Sequence, residues 1–241
     1  MPKGTNVSKR ALQPNHMFSY CRVIGCGQPA RAGTTKGLDT RFCRKHADHY
    51  SRHGSPYKRS YIGKELTKYR KQVRTWLKEN SEDRWVANAL DRINGMYARS
   101  GPHVEAFRLA GMTPAERSRK AWARLREASV DPLRVLEAWL VVELAVRLDS
   151  QPDGSPEFKR VQGAKLLHRL ASGSHKRWER EVPRRIANHF TTETVVTELH
   201  KYPHSRGKVL RYLGRDLEEA CELVVSQHIA ALVASFQVEG D

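Results

Sequence analysis

The sequence predicts a mainly α fold, in which a multi-helix bundle follows a small cysteine-containing N-terminal module. Apolar residues recur at helical spacing from Ile62 onward, and capping residues stand before Pro or an acid at several expected helix starts. No segment shows sustained alternation of apolar and polar residues, so we expect no sheet beyond a small hairpin in the module. The 241 residues suffice for one large domain or two small ones with a buried core.

Composition excludes several classes of protein. With 39% hydrophobic residues and four cysteines, the chain fits neither a disordered protein nor a disulfide-stapled secreted scaffold. The stretch from Met1 to Phe18 lacks the apolar segment of a secretory signal, and the longest apolar runs are only Ala138–Val142 and Ile229–Ala234. We therefore expect a soluble cytoplasmic protein that does not contact a membrane.

The net charge of +17 is concentrated in two parts of the chain. Residues 1–75 carry 17 Lys or Arg and three acids. Residues 159–215 carry 14 Lys or Arg and four acids. Residues 216–241 carry six acids and no Lys or Arg. Basic blocks of this kind favour a polyanionic partner, because neutralising phosphates releases counterions. We expect that partner to be a nucleic acid; the alternatives are that the charge serves only solubility, or that it attracts the protein to an anionic membrane.

Three of the four cysteines and one histidine form the pattern C-x4-C-x16-C-x2-H. Its members are Cys21, Cys26, Cys43 and His46. A tetrahedral Zn²⁺ site needs four ligands, and two closely spaced pairs let two short loops supply two each. Since this polar segment has no core of its own, we expect the ion to be structural and to stabilise a zinc finger at residues 19–59.

Three different roles for these cysteines fit less well. A disulfide is disfavoured in a reducing cytoplasm, buried core thiols would have apolar neighbours, and a catalytic Cys–His pair leaves two cysteines without a role. The fourth ligand stays open, because His49 and His53 follow His46 on the same segment. Cys221 lies among apolar residues at helical spacing and is predicted to be a core residue.

Three runs in this segment resemble a family of small zinc modules: residues 21–31 with their Pro-Ala-Arg, residues 42–46, and the Arg-His-Gly-Ser-Pro of residues 52–56. The family occurs in phage-encoded and mobile-element proteins, often beside HNH homing endonucleases, where the module is a DNA-binding accessory. The loop between the ligand pairs is longer here than in the family. The ligand positions that match are Cys21, Cys26, Cys43 and His46.

The nuclease part of such proteins is not seen in the sequence. An HNH site needs a general-base His, an Asn that orients it, and a second His for a divalent metal. The histidines beyond residue 60 are scattered, and Asn188-His189 matches only as a dipeptide. The resemblance therefore implies DNA contact without cleavage.

Cations alternate with tyrosines after the finger, in a segment predicted to be a basic linker helix at residues 60–80. Cations at this density suit phosphates, and tyrosines can stack on bases, although the tyrosines could equally pack on the core. The apolar face of this helix is expected at Leu66, Tyr69, Val73, Trp76 and Leu77. The predicted nucleic-acid contacts are Arg31, Lys36, Arg41, Arg44, Lys45, Arg52, Tyr57, Lys58, Arg59, Tyr61, Lys64, Lys68, Arg70, Lys71, Arg206, Lys208 and Arg211.

Nearly every segment beyond the linker is predicted to be helical. Thr113, Asp131 and Ser155 each precede a proline that can open a helix, and Thr113 forms a capping box with Glu116. The helix after Asp131 is apolar nearly all round and is expected at the centre of the bundle. The predicted helices cover residues 62–79, 82–99, 103–110, 114–128, 132–149, 156–171, 175–189, 192–201 and 205–236.

The second basic block contains a candidate groove-reading element. Thr191–His200 and Ser205–Leu213 could form a helix-turn-helix that places Arg206 and Lys208 in a DNA groove, or an ordinary helical hairpin. The acidic tail from Asp216 to Asp241 could shield this surface, bind a host protein or mediate self-association.

These observations predict a zinc-dependent, non-catalytic nucleic-acid-binding protein, with double-stranded DNA favoured over RNA. The expected parts are a flexible basic N-terminus at residues 1–18, the zinc finger at 19–59, the linker helix at 60–80 and a helical domain at 81–241. The resemblance places the protein in the cytoplasm or nucleoid of a bacterial host. The alternatives are a nuclease or other nucleic-acid-processing enzyme, and an RNA-binding or host-complex-binding phage effector.

Overall fold

The computed structural model of the protein describes residues 19–30, 33–34, 37–151, 153, 155–171, 175–186, 189–200 and 207–238. The fold is mainly α, as the sequence predicts. The described helices are α1 (Arg44–His53), α2 (Gly63–Glu79), α3 (Arg84–Arg99), α4 (Pro114–Glu127), α5 (Pro132–Arg147), α6 (Pro156–Leu170) and α7 (Lys208–Val238), with a 3₁₀ helix at Ala106–Leu109. The strands are β1 (Gly33–Thr34), β2 (Gly37–Leu38), β3 (His175–Ile186) and β4 (His189–His200). Residues 1–18, Arg31, Lys36 and Arg206 lie outside the described residues.

Side-chain caps fix where three helices begin. The carboxylates of Asp83 and Asp131 accept hydrogen bonds from backbone N–H groups in the first turns of α3 and α5. At α4, Thr113 Oγ1 accepts from the N–H of Glu116, and the Glu116 carboxylate accepts from the N–H of Thr113 at 2.8 Å. The predicted capping box is thus confirmed.

Helix α5 lies at the centre of the bundle, as its apolar sequence predicts. It packs against α2, α3, α6 and α7, and every residue from Val135 to Ala145 is buried. Helices α6 and α7 approach each other closely at Gly214, where a Cβ atom would lie 2.2 Å from the carbonyl oxygen of Arg160. A larger residue at this position would force the two helices apart.

Glu143 is a buried carboxylate at the centre of the bundle. The Glu143 side chain is 2% exposed, and its Oε1 lies 2.7 Å from Nζ of Lys159. Lys159 also lies 3.2 Å from Glu218, which Arg160 contacts at 2.5 Å. A buried carboxylate is tolerated where it is paired, so this network joins α5, α6 and α7.

Helix α2 turns the predicted apolar face toward the core. Leu66, Tyr69, Val73 and Leu77 are buried, while Trp76 is half-buried against the same cluster. Helix α2 packs against α5 and α7. Its position within the bundle follows from this apolar face.

The prediction of helices at residues 175–189 and 192–201 is wrong. These residues form the antiparallel hairpin of β3 and β4, whose register begins with His175 opposite His200. Pro183 explains part of the difference, because proline in a helix interior removes a hydrogen bond and clashes with the preceding turn. The many β-branched Thr and Val residues of β4 favour a strand.

Both alternatives for residues 191–213, the helix-turn-helix and the ordinary helical hairpin, are wrong as well. The first helix of both was expected at residues 191–200, which belong to β4. Lys208 and Arg211 lie in the first turns of α7 instead of on a recognition helix. The helix expected at residues 103–110 is a single 3₁₀ helix at Ala106–Leu109.

Helix α7 is, by length and composition alone, apolar enough to cross a membrane between Lys208 and Phe236. The sequence prediction rested on uninterrupted apolar runs, and the longest run in this helix is Ile229–Ala234. In the fold, 28% of the most apolar window of this helix is buried, and α7 packs against α3, α4, α5 and α6. A single helix of this kind is weak support for a membrane span, and the structure is compatible with a soluble protein.

Candidate metal centre

The first two cysteines lie in a tight turn. The N–H of Cys21 donates to the carbonyl oxygen of Gln28 at 2.8 Å, and the N–H of Cys26 donates to that of Val23 at 3.0 Å. Gly25 between them has a φ of 77°, a left-handed conformation that favours glycine. The turn brings both thiols to the same side of the loop.

The second pair lies where α1 begins. Asp39 Oδ1 accepts hydrogen bonds from the N–H groups of Arg41 at 2.6 Å and Phe42 at 3.1 Å, which orders the chain just before Cys43. Cys43 is the N-cap residue of α1, and His46 follows one turn later.

The four side chains meet at one place. Their ligand atoms all lie within 4.8 Å of one another. His46 Nδ1 lies 3.2 Å from Cys21 Sγ and 3.4 Å from Cys43 Sγ, and Cys26 Sγ lies 3.7 Å from Cys43 Sγ. All four cysteines of the chain are free of disulfides. The cluster can therefore hold a metal ion, as the spacing in the sequence predicts.

The other candidate fourth ligands are turned to different partners. His49 Nδ1 donates to the carbonyl oxygen of Ser55 at 2.8 Å. His53 Nδ1 accepts from the N–H of Ser60 at 3.0 Å. His46 is therefore the histidine of the cluster, and Cys221 is buried in the main core as predicted.

The thiols influence one another's ionisation. Burial works against the Cys21 thiolate, but backbone N–H groups of Cys43 and Val23 outweigh it, so the pKa of Cys21 is lowered. At Cys26 the backbone N–H of Gln28 favours the thiolate, but burial and the neighbouring thiols oppose it, and the pKa is raised. A positive charge within the cluster would therefore favour the thiolate form of Cys26.

The N-terminal module (residues 19–59) has a small apolar cluster of its own. Cys21, Phe42 and Cys43 are buried together, and the ring of Phe42 lies 5.3 Å from that of Tyr50. This cluster is separate from the main core. The local fold of the module thus depends on few apolar contacts besides the metal-ligand side chains.

The end of α1 fastens the module to the bundle. Gly54 follows α1 with a φ of 78°, and a Cβ atom there would lie 2.5 Å from the carbonyl oxygen of Glu157. Gln162 on α6 donates to the carbonyl oxygen of His53 at 3.0 Å. Backbone therefore packs directly on backbone at this junction.

A cluster at this junction was missed by sequence reasoning. Lys165 Nζ donates to Ser60 Oγ at 2.5 Å, and this oxygen lies 2.9 Å from His53 Nδ1. Burial and the nearby Arg169 lower the pKa of Lys165 to about 8. Burial, followed by the charge of Lys165, lowers the pKa of His53 to about 4. No local motif signals this cluster, because Lys165 and Ser60 are 105 residues apart in the chain.

Most of the described residues predicted to contact nucleic acid are exposed. The exposed members are Arg41, Arg44, Lys45, Arg52, Tyr57, Arg59, Lys64, Lys68, Lys71 and Lys208, while Arg70 is half-buried. Arg22 and Ile24, which the sequence prediction omitted, are also exposed on the first ligand loop.

Several of the predicted contacts are engaged within the chain. Lys58 pairs with Asp149, and Tyr61 donates to the same carboxylate at 2.6 Å. Arg59 lies 2.5 Å from Glu65. Arg211 is the most extensively bonded of the set.

No protein-family model, no curated protein and no solved structure matches the chain. A function for this protein therefore has to be inferred from the geometry of the site.

Proposed function

We propose that the cluster of three cysteines and His46 binds one structural Zn²⁺, and that the protein binds nucleic acid through the zinc-stabilised module. Double-stranded DNA is the favoured partner, and the role is non-catalytic and of the phage or mobile-element type. The observation that carries the proposal is the spacing of the four ligand atoms.

This spacing fits tetrahedral zinc. Bonds of about 2.3 Å to sulfur and about 2.0 Å to nitrogen imply sulfur–sulfur distances of about 3.8 Å and sulfur–nitrogen distances of about 3.5 Å. The corresponding distances are 3.7 Å between Cys26 and Cys43, and 3.2 and 3.4 Å from His46 to Cys21 and Cys43. Three thiols and an imidazole are also the ligand types that structural zinc sites prefer.

The charge around the cluster supports a polyanionic partner. Arg22, Arg41, Arg44, Lys45 and Arg52 are exposed on the same small module. Arg44 Nε lies 3.3 Å from Asp48 Oδ2, and both side chains are exposed. Such surface pairs contribute little, so a phosphate can replace the carboxylate at low cost.

The test is duplex binding by the full-length, zinc-loaded protein, measured by fluorescence anisotropy across a salt series. We expect log K to fall steeply with log salt, and the double variant Arg44→Glu/Lys45→Glu to reduce the slope by about one for each phosphate that it no longer neutralises. Acids in the first turn of a helix are favourable, so α1 should still form. The zinc content of the double variant, compared with that of the wild type, checks that the module is still folded.

Lys78→Glu is the matched control, because Lys78 is an exposed cation in the last turn of α2. We expect its salt slope to equal that of the wild type. A loss for Lys78→Glu about half that of the double variant, in proportion to the charge changed, would point to net charge alone and contradict a defined interface. Absence of duplex binding at modest ionic strength, or stronger binding to an RNA of the same length, would overturn the proposal for DNA.

A further inference from the structure

We propose that the β3–β4 hairpin is an arm that lies in the major groove of duplex DNA, with the face that carries Arg180 and Arg184 toward the bases. The inference rests on the proposed function in one respect, the identity of the partner. It assigns that partner a second contact surface, distinct from the N-terminal module.

The hairpin consists of two long strands. Each strand has 12 residues, which corresponds to a length of about 40 Å. Among the described elements, β3 and β4 pack extensively only against each other. A two-stranded hairpin without a packed face is only marginally stable in water, so a partner that covers one face would stabilise it.

The two faces of the hairpin differ in charge. Successive residues of a strand point to opposite faces, and residues directly opposite each other share a face. Arg180 lies opposite Val195, and Arg184 is on the same face of β3 as Arg180. Glu179 and Glu181 lie on the other face, with Thr194 opposite Glu181. Glu193, opposite Val182, shares the face of Arg180 and Arg184. That face therefore carries two cations and one acid among its described side chains, and it is the more favourable one for DNA.

Among the described side chains of the Arg face, Arg180, Arg184, Glu193 and Val195 are exposed. Arg184 pairs with Glu193 at 2.9 Å, but these side chains are 62% and 52% exposed, so the pair is easily broken. Val195, on the same face, is 42% exposed although it is apolar. Arginine can bond guanine with two hydrogen bonds, and an apolar side chain can contact the thymine methyl group.

The dimensions of the hairpin also suit a groove. The major groove is about 12 Å wide and admits a two-stranded ribbon. Arg180 and Arg184 are four residues apart on one strand, which places them about 13 Å apart along the ribbon. At about 3.4 Å per base step, the two side chains would reach base edges about four steps apart.

The test compares two double variants of the full-length, zinc-loaded protein. Arg180→Ala/Arg184→Ala removes the cations of one face, and the matched control Glu179→Ala/Glu181→Ala changes the other face of the same strand. The probe is a duplex of mixed sequence, about four helical turns long. Affinity is measured by anisotropy, and major-groove occupancy by dimethyl sulfate methylation of guanine N7 in the saturated complex.

We expect the wild type to protect guanine N7 from methylation. The arginine variant should lose this protection and bind at least about tenfold more weakly. The glutamate variant should keep the protection and the affinity of the wild type. Unchanged protection and affinity in the arginine variant would overturn the inference. If that variant is unchanged while Arg44→Glu/Lys45→Glu loses binding, the arm is refuted and the proposed function stands.

If the arginine variant loses binding while Arg44→Glu/Lys45→Glu keeps it, the arm is supported and the module is not the main interface. A second copy of the chain is the competing occupant of the Arg face. Sedimentation of the free protein as a dimer, with a monomer for Arg180→Ala/Arg184→Ala, would overturn the inference in favour of that occupant. Circular dichroism should show the helices unchanged in both variants, because neither strand packs extensively on a described helix.

Discussion

The guanidinium group of Arg211 lies 3.0 Å from the carbonyl oxygen of Tyr50 and 2.8 Å from a carboxylate oxygen of Glu157. It also donates to the carbonyl oxygens of Ser51 at 3.3 Å and Gly207 at 3.0 Å. The carbonyl of Tyr50, near the end of α1, also accepts from the N–H of Gly54 at 2.9 Å, and Arg211 supplies further donors to it and to the carbonyl of Ser51. One side chain of α7 thus joins the N-terminal module to the bundle.

Arg211→Ala should destabilise the protein through the loss of these bonds. We expect the free energy of unfolding to fall by about 1.5–3 kcal/mol, the range for hydrogen bonds that involve a charged group. Arg215→Ala is the matched control, because Arg215 lies 3.7 Å from Glu219 and both side chains are more than half exposed. It should change stability by less than about 0.5 kcal/mol. Urea unfolding measures both, and equal effects would contradict the assigned role.

Gly54→Ala should lower the free energy of unfolding by disturbing the contact between α1 and α6. The left-handed backbone at Gly54 costs a residue with a Cβ atom roughly 1–2 kcal/mol, and the overlap with Glu157 adds to this. Gly63→Ala is the control, since Gly63 opens α2 with no atom within 4 Å of the added Cβ. We expect it to be neutral or slightly stabilising. Comparable melting temperatures for the two variants would argue against the close approach of α1 and α6.

Stability should depend on pH through His53. Its pKa of about 4 lies below the ordinary value of 6.5, so between these values the unfolded chain binds a proton that the folded chain does not. The free energy of unfolding therefore falls as pH is lowered from about 6.5 to about 4. Lys165→Met should raise the pKa of His53 without restoring 6.5, because burial is the larger cause. NMR titration of the ring protons measures this, with Lys78→Met as a control that should leave the pKa unchanged.

Cys43→Ala should abolish metal binding and disorder the N-terminal module while the bundle stays folded. The module and the bundle bury separate apolar clusters, so most of the helical signal should persist in circular dichroism. Elemental analysis should give about one zinc per chain for the wild type and for Cys221→Ala, whose thiol is buried in the main core. A full complement of zinc in Cys43→Ala would refute the ligand set.

The sequence predicts those parts of the structure that local chemistry controls. Thr113 and Asp131 mark the starts of α4 and α5 because a cap acts within one turn of the helix. The ligand pairs are found from their spacing because a metal site needs two short loops with little other structure. These signals lie within a few residues of the feature they specify.

The remaining features depend on contacts between distant residues. Trp178, Val182 and Ile186 are spaced by four, which fits both one face of a helix and one face of a strand. Pro183 was the stronger signal and excludes the helix. The role of Arg211 depends on how closely α1, α6 and α7 approach one another. The spacing of apolar residues in the sequence does not predict such distances.

X-ray absorption at the zinc edge of the purified full-length protein tests the central claim most directly. The ligand set predicts one zinc per chain with three sulfur neighbours at about 2.3 Å and one nitrogen neighbour at about 2.0 Å. A shell with two sulfurs, a shell dominated by oxygen, or protein purified without stoichiometric zinc would contradict it.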